Sequence, residues 1–264
     1  MNNGIVAAVM CAGAWKGEVP AGMSPWRALL PLNGRPMLSY VMDAIAASTL
    51  VTETVMVAPP EFAELYPHIQ RLEPTEQLTT NVVAGARYAL GRGRVLLIGS
   101  DIPLLTPASI DSFIQDCSAA DVQFFYSIIE KAIVMAKYPQ MKRTFLKLSD
   151  GTYTGGNLML SDPQFLLDSL PHIQAIVNAR KNVPGLCRYL GLELLVRVAL
   201  TRLGLPLLDV ARAEALVSRA VHGYAIGVPS THPEIGADLD SLDEVPVYEA
   251  ILSGQGTAKD PANG

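Results

Sequence analysis

An α/β domain built on a mainly parallel, doubly wound sheet is the fold this chain predicts, on three observations. Short apolar, β-branched runs alternate with longer helix-like segments through the first half, the rhythm of βαβ units. Val95-Leu96-Leu97-Ile98 is a continuous apolar run, which suits a central strand covered on both faces. The 264 residues suffice to enclose one core and are short for two full domains. One domain is therefore expected over residues 1–252, with 253–264, rich in Gly, Ala, Lys, Asp and Pro, as a disordered tail.

Each element has a local reason. Residues 5–10 read as the first strand, and 36–47 as a helix with proline in its first turn. Residues 54–58 form a second strand, and 79–90 a helix with a threonine cap. Residues 94–99 form a third strand, Thr106-Pro107 opens a helix by the cap-plus-proline rule, and 122–129 is a fourth strand. Beyond residue 130 the rhythm loosens: 143–148 alternates like a strand, Asp150-Gly151 marks a turn, and 158–160 is a short strand. After Asp162-Pro163 the chain reads helical through 165–180, 186–203 and 210–220, so 163–220 is expected to be a helical insertion. Residues 221–228 resume a strand, and Ser241-Leu242-Asp243-Glu244 has the form of a capping box opening a last helix.

Composition excludes several functions. A net charge of −5 and a pI near 5.4 argue against a nucleic-acid surface, which is normally basic. The hydrophobic fraction is 50%, yet no run of about 18 residues lacks charge, so no transmembrane segment is expected. The opening Met1-Asn2-Asn3-Gly4 has no basic stretch, so neither a signal nor a transit peptide is expected and the location expected is cytoplasmic. Cys11, Cys117 and Cys187 are widely spaced and predict neither disulfides nor a zinc site. His68, His172, His222 and His232 have no metal-ligand spacing. The ligand expected is small.

The first strand runs into Cys11-Ala12-Gly13-Ala14-Trp15-Lys16-Gly17, a glycine-bearing turn where an open α/β sheet binds its ligand. A glycine there lets backbone N–H groups approach phosphate oxygens. Arg27-Ala28-Leu29-Leu30-Pro31-Leu32-Asn33-Gly34-Arg35-Pro36-Met37-Leu38 follows, and Leu97-Ile98-Gly99-Ser100-Asp101-Ile102-Pro103 sets an aspartate at a strand end. Gly155-Gly156-Asn157 and Ile235-Gly236-Ala237-Asp238-Leu239-Asp240 come later. In this order the motifs resemble those of the sugar-phosphate nucleotidyltransferases and molybdenum-cofactor guanylyltransferase-like proteins. Those open with L-A-A-G-x-G-x-R and continue P-K-x-L-x-x-x-x-G-K-P-M-L. The sequence departs from them at Trp15, Gly17 and Trp26, and Arg27 stands where the family has lysine.

The resemblance implies a GT-A-like, Rossmann-like domain that transfers a nucleoside monophosphate from an NTP to a small phosphorylated acceptor. It implies Mg²⁺, or Mn²⁺, held by Asp101 with Asp238 or Asp240. Arg27 and Lys16 would hold phosphates; Cys11, Ala12, Gly13, Ala14, Asn81 and Ser100 would contact the nucleotide. Gly155, Gly156 and Asn157 would contact the acceptor. Lys131, Arg143, Lys147, Arg180 and Lys181 are cations of the second half, and Arg180-Lys181 is the pair assigned to the acceptor's phosphate because it interrupts an apolar region. The leucine-rich run 189–208 reads as a packing face or homodimer contact, or as an apolar groove or peripheral membrane contact for a lipid-linked acceptor. Two other readings stay open: a nucleotide-binding or regulatory module without catalysis, and a glycosyltransferase on the same fold, which Asp101's lack of an acidic neighbour disfavours.

Overall fold

In the computed structural model, residues 4–15, 19–20, 22–179, 196, 200 and 208–254 are described. Strand β1 (Gly4–Met10) shows why the sheet's centre lies where it does. Ile5, Ala7 and Val9 face a core that includes Leu38, Val41 and Ile45 of helix α1 (Met37–Ala46). Val6 and Ala8 face another, with Ala86 and Ala89 of a later helix. A strand covered on both faces needs apolar residues at every position, which is why β1 is continuous rather than alternating.

The chain continues through a small ribbon, β2 (Pro31–Leu32) with β3 (Arg35–Pro36), and past α1 to β4 (Glu53–Val57), α2 (Phe62–Leu65) and β5 (Gln70–Leu72). Then come α3 (Leu78–Ala89), β6 (Gly93–Gly99), α4 (Pro107–Asp116), β7 (Phe124–Glu130) and α5 (Lys131–Lys137). Strands β8 (Leu146–Lys147) and β9 (Thr152–Ser161) are followed by α6 (Pro163–Ala179), α7 (Val210–Val221), β10 (Ala225–Ser230) and α8 (Val245–Leu252). The sheet order is β10-β7-β9-β6-β1-β4-β5, with β8 paired to β9. β5, β4, β1 and β6 are mutually parallel, as are β7 and β10, and β9 runs antiparallel to both β6 and β7.

From β1 the chain builds outward to β4 and β5, then returns to place β6 on the other side of β1. The reversal sets Met10 beside Gly99, and the crevice at such a switch is where open α/β sheets hold ligands. α1 and α4 cover one face; α3, α6 and α7 cover the other. No described helix is long and apolar enough to cross a membrane.

Several local expectations are corrected. α3 starts after Gln77, which makes no side-chain cap bond, so Thr79 lies inside the helix. The cap predicted at Thr106 is present and reciprocal: Ser109 N donates to Thr106 Oγ1 and Thr106 N to Ser109 Oγ, each at 3.1 Å. The strand expected over 143–148 contracts to Leu146–Lys147. Gly155-Gly156-Asn157 lies in the middle of β9, and β9 enters between β6 and β7. Residues 221–224 end a helix: His222 leaves α7 at φ 56°, and β10 begins at Ala225. Ser241 makes no side-chain cap bond before the short 3₁₀ turn Leu242–Glu244. Of the helical insertion, α6 and α7 are in place; 180–195, 197–199 and 201–207 lie outside the described residues, as does the expected tail from 255.

Candidate active site

The main chain beyond β1 is stitched to the next segment before any side chain is considered. Arg27 N donates to Gly13 O at 2.9 Å and Trp15 N to Pro25 O at 3.1 Å, which hangs Arg27 over the glycine turn. A Cβ on Gly13 would lie 3.3 Å from Arg27 Nη2, so glycine leaves the guanidinium its room. Across the crevice, a Cβ on Gly99 would stand 2.8 Å from Asp101 Oδ1, so a larger residue there would push the carboxylate away.

Arg27 joins two aspartates far apart in sequence. Its Nη2 lies 3.0 Å from Asp101 Oδ2 and its Nη1 2.7 Å from Asp240 Oδ1. The 238–240 segment is fixed to the end of β6 by Leu239 N donating to Asp101 O at 2.8 Å. Asp238 receives Asn157 Nδ2 at 3.1 Å and the Arg143 guanidinium, while Tyr248 donates to its carbonyl at 2.9 Å. Three carboxylates thus meet two guanidiniums, leaving one negative charge in excess.

Burial raises the Asp101 carboxyl above its ordinary value; Arg27 opposes this and Asp238 and Asp240 add to it. Asp238 is also buried, but Arg143, then Asn157 and Asp240, hold it below the usual range. Burial, with Asp101 adding, pushes the Cys11 thiol far up, so it is a neutral packing group rather than a nucleophile.

A cavity of about 430 Å³ opens beside these groups, within the range of small-molecule sites. Ala12, Gly13, Ala14, Arg27, Ser100, Asp101, Asn157 and Met159 line one part, and Thr75, Glu76, Leu78 and Asn81 the other. Cys11 does not line it: its N–H bonds Val57 O at 2.9 Å and its side chain is fully buried. Asn81 lines the cavity, but its amide is engaged. Its Oδ1 accepts from Thr75 N at 2.7 Å and its Nδ2 donates to Thr75 O at 3.0 Å, which positions the 75–77 loop.

Gly155 and Gly156 do not make an open backbone platform. Space beside Gly155 is filled by the Tyr126 hydroxyl and space beside Gly156 by Ser127 Oγ and Ile235. Lys16, Arg180 and Lys181 lie outside the described residues. Lys131 lies 5.4 Å over the Phe145 ring and Lys147 is exposed in β8. Among the described cations of the second half, Arg143 reaches the site, and its partner Asp238 is 95 residues away, so no local signal marks it. The 75–77 loop and the first residue of α3, Leu78, 66% exposed at the cavity, leave no pattern in the sequence either, because their place at the site is set by α3 docking on β1. Among the described residues, no three His, Cys, Asp or Glu side chains are gathered closely enough to chelate a metal by themselves.

The chain belongs to the MobA-like NTP transferase domain family, whose model matches residues 17–152, just over half of the chain. It is 27% identical over 88 residues to a probable molybdenum cofactor guanylyltransferase of Pyrococcus horikoshii, and 28% over 87 residues to one of Thermococcus kodakarensis. Those matches cover 33% of this chain and 46% and 43% of the relatives, so the chain spans less than half the length of the curated proteins it matches. A hypothetical transferase from Thermus thermophilus superposes with a TM-score of 0.74 at 29% identity, over 93% of this chain and 100% of that one. A 4-diphosphocytidyl-2C-methyl-D-erythritol synthase from Anaerococcus prevotii superposes at 0.58 with 9% identity, over 96% and 97%, and shares the fold.

Proposed function

We propose that this member of the MobA-like NTP transferase family moves a nucleoside monophosphate from an NTP onto a phosphorylated acceptor and releases pyrophosphate. The observation that carries this reading is the meeting of Arg27, Asp101, Asp238 and Asp240 at the crevice between β1 and β6, beside the 430 Å³ cavity. Family membership and the guanylyltransferase names of the curated relatives support it, and make GTP the first nucleotide to try.

Mg²⁺ or Mn²⁺ suits these residues: the donors are carboxylate oxygens, and they outnumber the guanidiniums that neutralise them. Asp101 with Asp238 or Asp240 would hold the ion, which when bound neutralises phosphate charge. The rest falls to the chain. The turn at 12–14 presents main chain to the phosphates, and Arg27 grips them with a planar fork of donors. Arg27 Nε and Arg143 Nε are buried donors without a partner, which anionic oxygens satisfy. Asn157 and Tyr248 hold Asp238 in place. Lys16 is assigned to the triphosphate, and Arg180 and Lys181 to the acceptor phosphate, on the sequence alone. The acceptor oxygen bonds the α-phosphorus as the bond to the β-phosphate oxygen breaks, so catalysis rests on positioning and charge neutralisation.

Pyrophosphate release across the four common NTPs, with Mg²⁺ and a panel of phosphorylated acceptors, tests the reading. Release that requires both NTP and acceptor is expected. Tight Mg²⁺-NTP binding without turnover on any acceptor would favour a non-catalytic nucleotide-binding module.

A further inference from the structure

We propose that the groove between β7, β10 and α7 is a second acceptor subsite, which takes the apolar body of a phosphorylated amphiphile; this rests on the transferase reading above. The groove holds about 330 Å³, and Phe124, Tyr126, Ile128, Leu148, Val217 and Ile226 form its walls. Among the described residues, Glu214 is the one charged side chain lining it, and its Oε1 is already engaged by Gly227 N at 2.7 Å. A nucleoside would find few polar partners here, whereas an alkyl or ring system would lose only water.

Two features tie the groove to the reaction centre. Gly155, Asn157 and Met159 lie on one face of β9; Gly155 lines the groove, and Asn157 and Met159 line the nucleotide cavity. The missing Cβ of Gly155 lets the Tyr126 hydroxyl lie against β9, and two residues farther along the same face Asn157 Nδ2 bonds Asp238, the partner of Arg143. The apolar trough therefore runs along β9 toward the linked Asn157, Asp238 and Arg143, where the Arg143 Nε has no hydrogen-bond partner, the complement of a molecule with an apolar body and an anionic head. The head would lie toward Asn157 and Arg143, within reach of the nucleotide cavity, and the body would lie under α7.

Calorimetry with a series of n-alkyl phosphates from ethyl to octyl, each below its micelle concentration, tests this on the full chain. Binding should tighten about fourfold per added methylene until the groove is full. Val217 is 42% exposed on the groove wall, so Val217→Asp should fold; it should flatten the series while Mg²⁺-GTP affinity stays within twofold. Arg143→Met should weaken every member, inorganic phosphate included, by a similar factor and leave the slope. A flat series in wild-type protein that binds Mg²⁺-NTP would overturn the subsite and leave the transferase reading standing. A slope that survives Val217→Asp would place the alkyl chain elsewhere and overturn it too. A flat series with a dimer that Val217→Asp dissolves would give the groove to a second copy. Wild-type protein that binds no Mg²⁺-NTP would overturn the transferase reading and the acceptor assignment with it.

Discussion

The crevice between β1 and β6 and the groove over β7 and β10 share strand β9 and one face of the sheet, yet their chemistry is opposite. The crevice is edged by main chain, a paired arginine and three aspartates; the groove is edged by apolar side chains and one carboxylate tied to the main chain. The crevice lies at the ends of strands locked by packing on both faces, which suits work that needs fixed charges. The groove is roofed by α7, which packs on β10 and α6 rather than on the central strands.

The sharpest way to break this contrast is at Asp101. On the proposed function, Asp101→Asn, which exchanges a carboxylate for its neutral isostere, should abolish Mg²⁺-dependent turnover, with the melting temperature little changed. Turnover and thermal unfolding measured on the same preparation check both parts, and undiminished activity would reduce Asp101 to a structural partner of Arg27. Next is Arg143→Met, which strands the largely buried Asp238 without its cation and should cost about 3–5 kcal/mol in denaturant unfolding. Adding Asp238→Asn should recover much of that, and simple additivity of the two losses would contradict the pairing.

Glu234 offers a smaller, pH-dependent effect behind the same segment. Its carboxylate is 3% exposed; it accepts from Lys137 Nζ at 2.8 Å and Thr106 Oγ1 at 3.3 Å, and lies 3.2 Å from His232 Nδ1. Burial opposes ionisation, but Lys137 and His232 bring the carboxyl below the ordinary glutamate value. A depressed folded pKa stabilises the fold above the unfolded-state pKa, and that stabilisation is lost as pH falls through the folded value. Glu234→Gln should therefore cost about 1–3 kcal/mol near neutrality and less in acid, as unfolding at several pH values will show. Val217→Asp should be smallest, within about 0.5 kcal/mol in stability. A loss of Mg²⁺-NTP affinity in that variant would erase the separation between the two cavities.

Legibility in the sequence follows the same divide. β1 and β6 are buried on both faces, so their apolar runs mark them directly, and Asp101 stands out as the charge where such a run stops. The Thr106 cap is local chemistry and is equally visible. Gly155-Gly156 reads as an acceptor contact because paired glycines leave the backbone open to a ligand; here they make space for Tyr126 and Ser127 in mid-strand, which only the partner strand reveals. Arg143 and Asp238 meet across 95 residues, and the groove's walls are gathered from Phe124 to Gly227, so neither leaves a pattern in any short window. α3 was read from a threonine cap at Thr79, but it starts at Leu78, after Gln77, and Asn81 folds back to bond Thr75.

Direct transfer to an acceptor, with pyrophosphate as leaving group, is tested most directly by exchange of radiolabelled pyrophosphate into NTP. With Mg²⁺ and the nucleotidylated product of an accepted phosphate compound present, label should enter the NTP; without that product it should not. Exchange that runs without any acceptor species would mean a covalent nucleotidyl-protein intermediate, and no exchange on any acceptor product would contradict the transferase account.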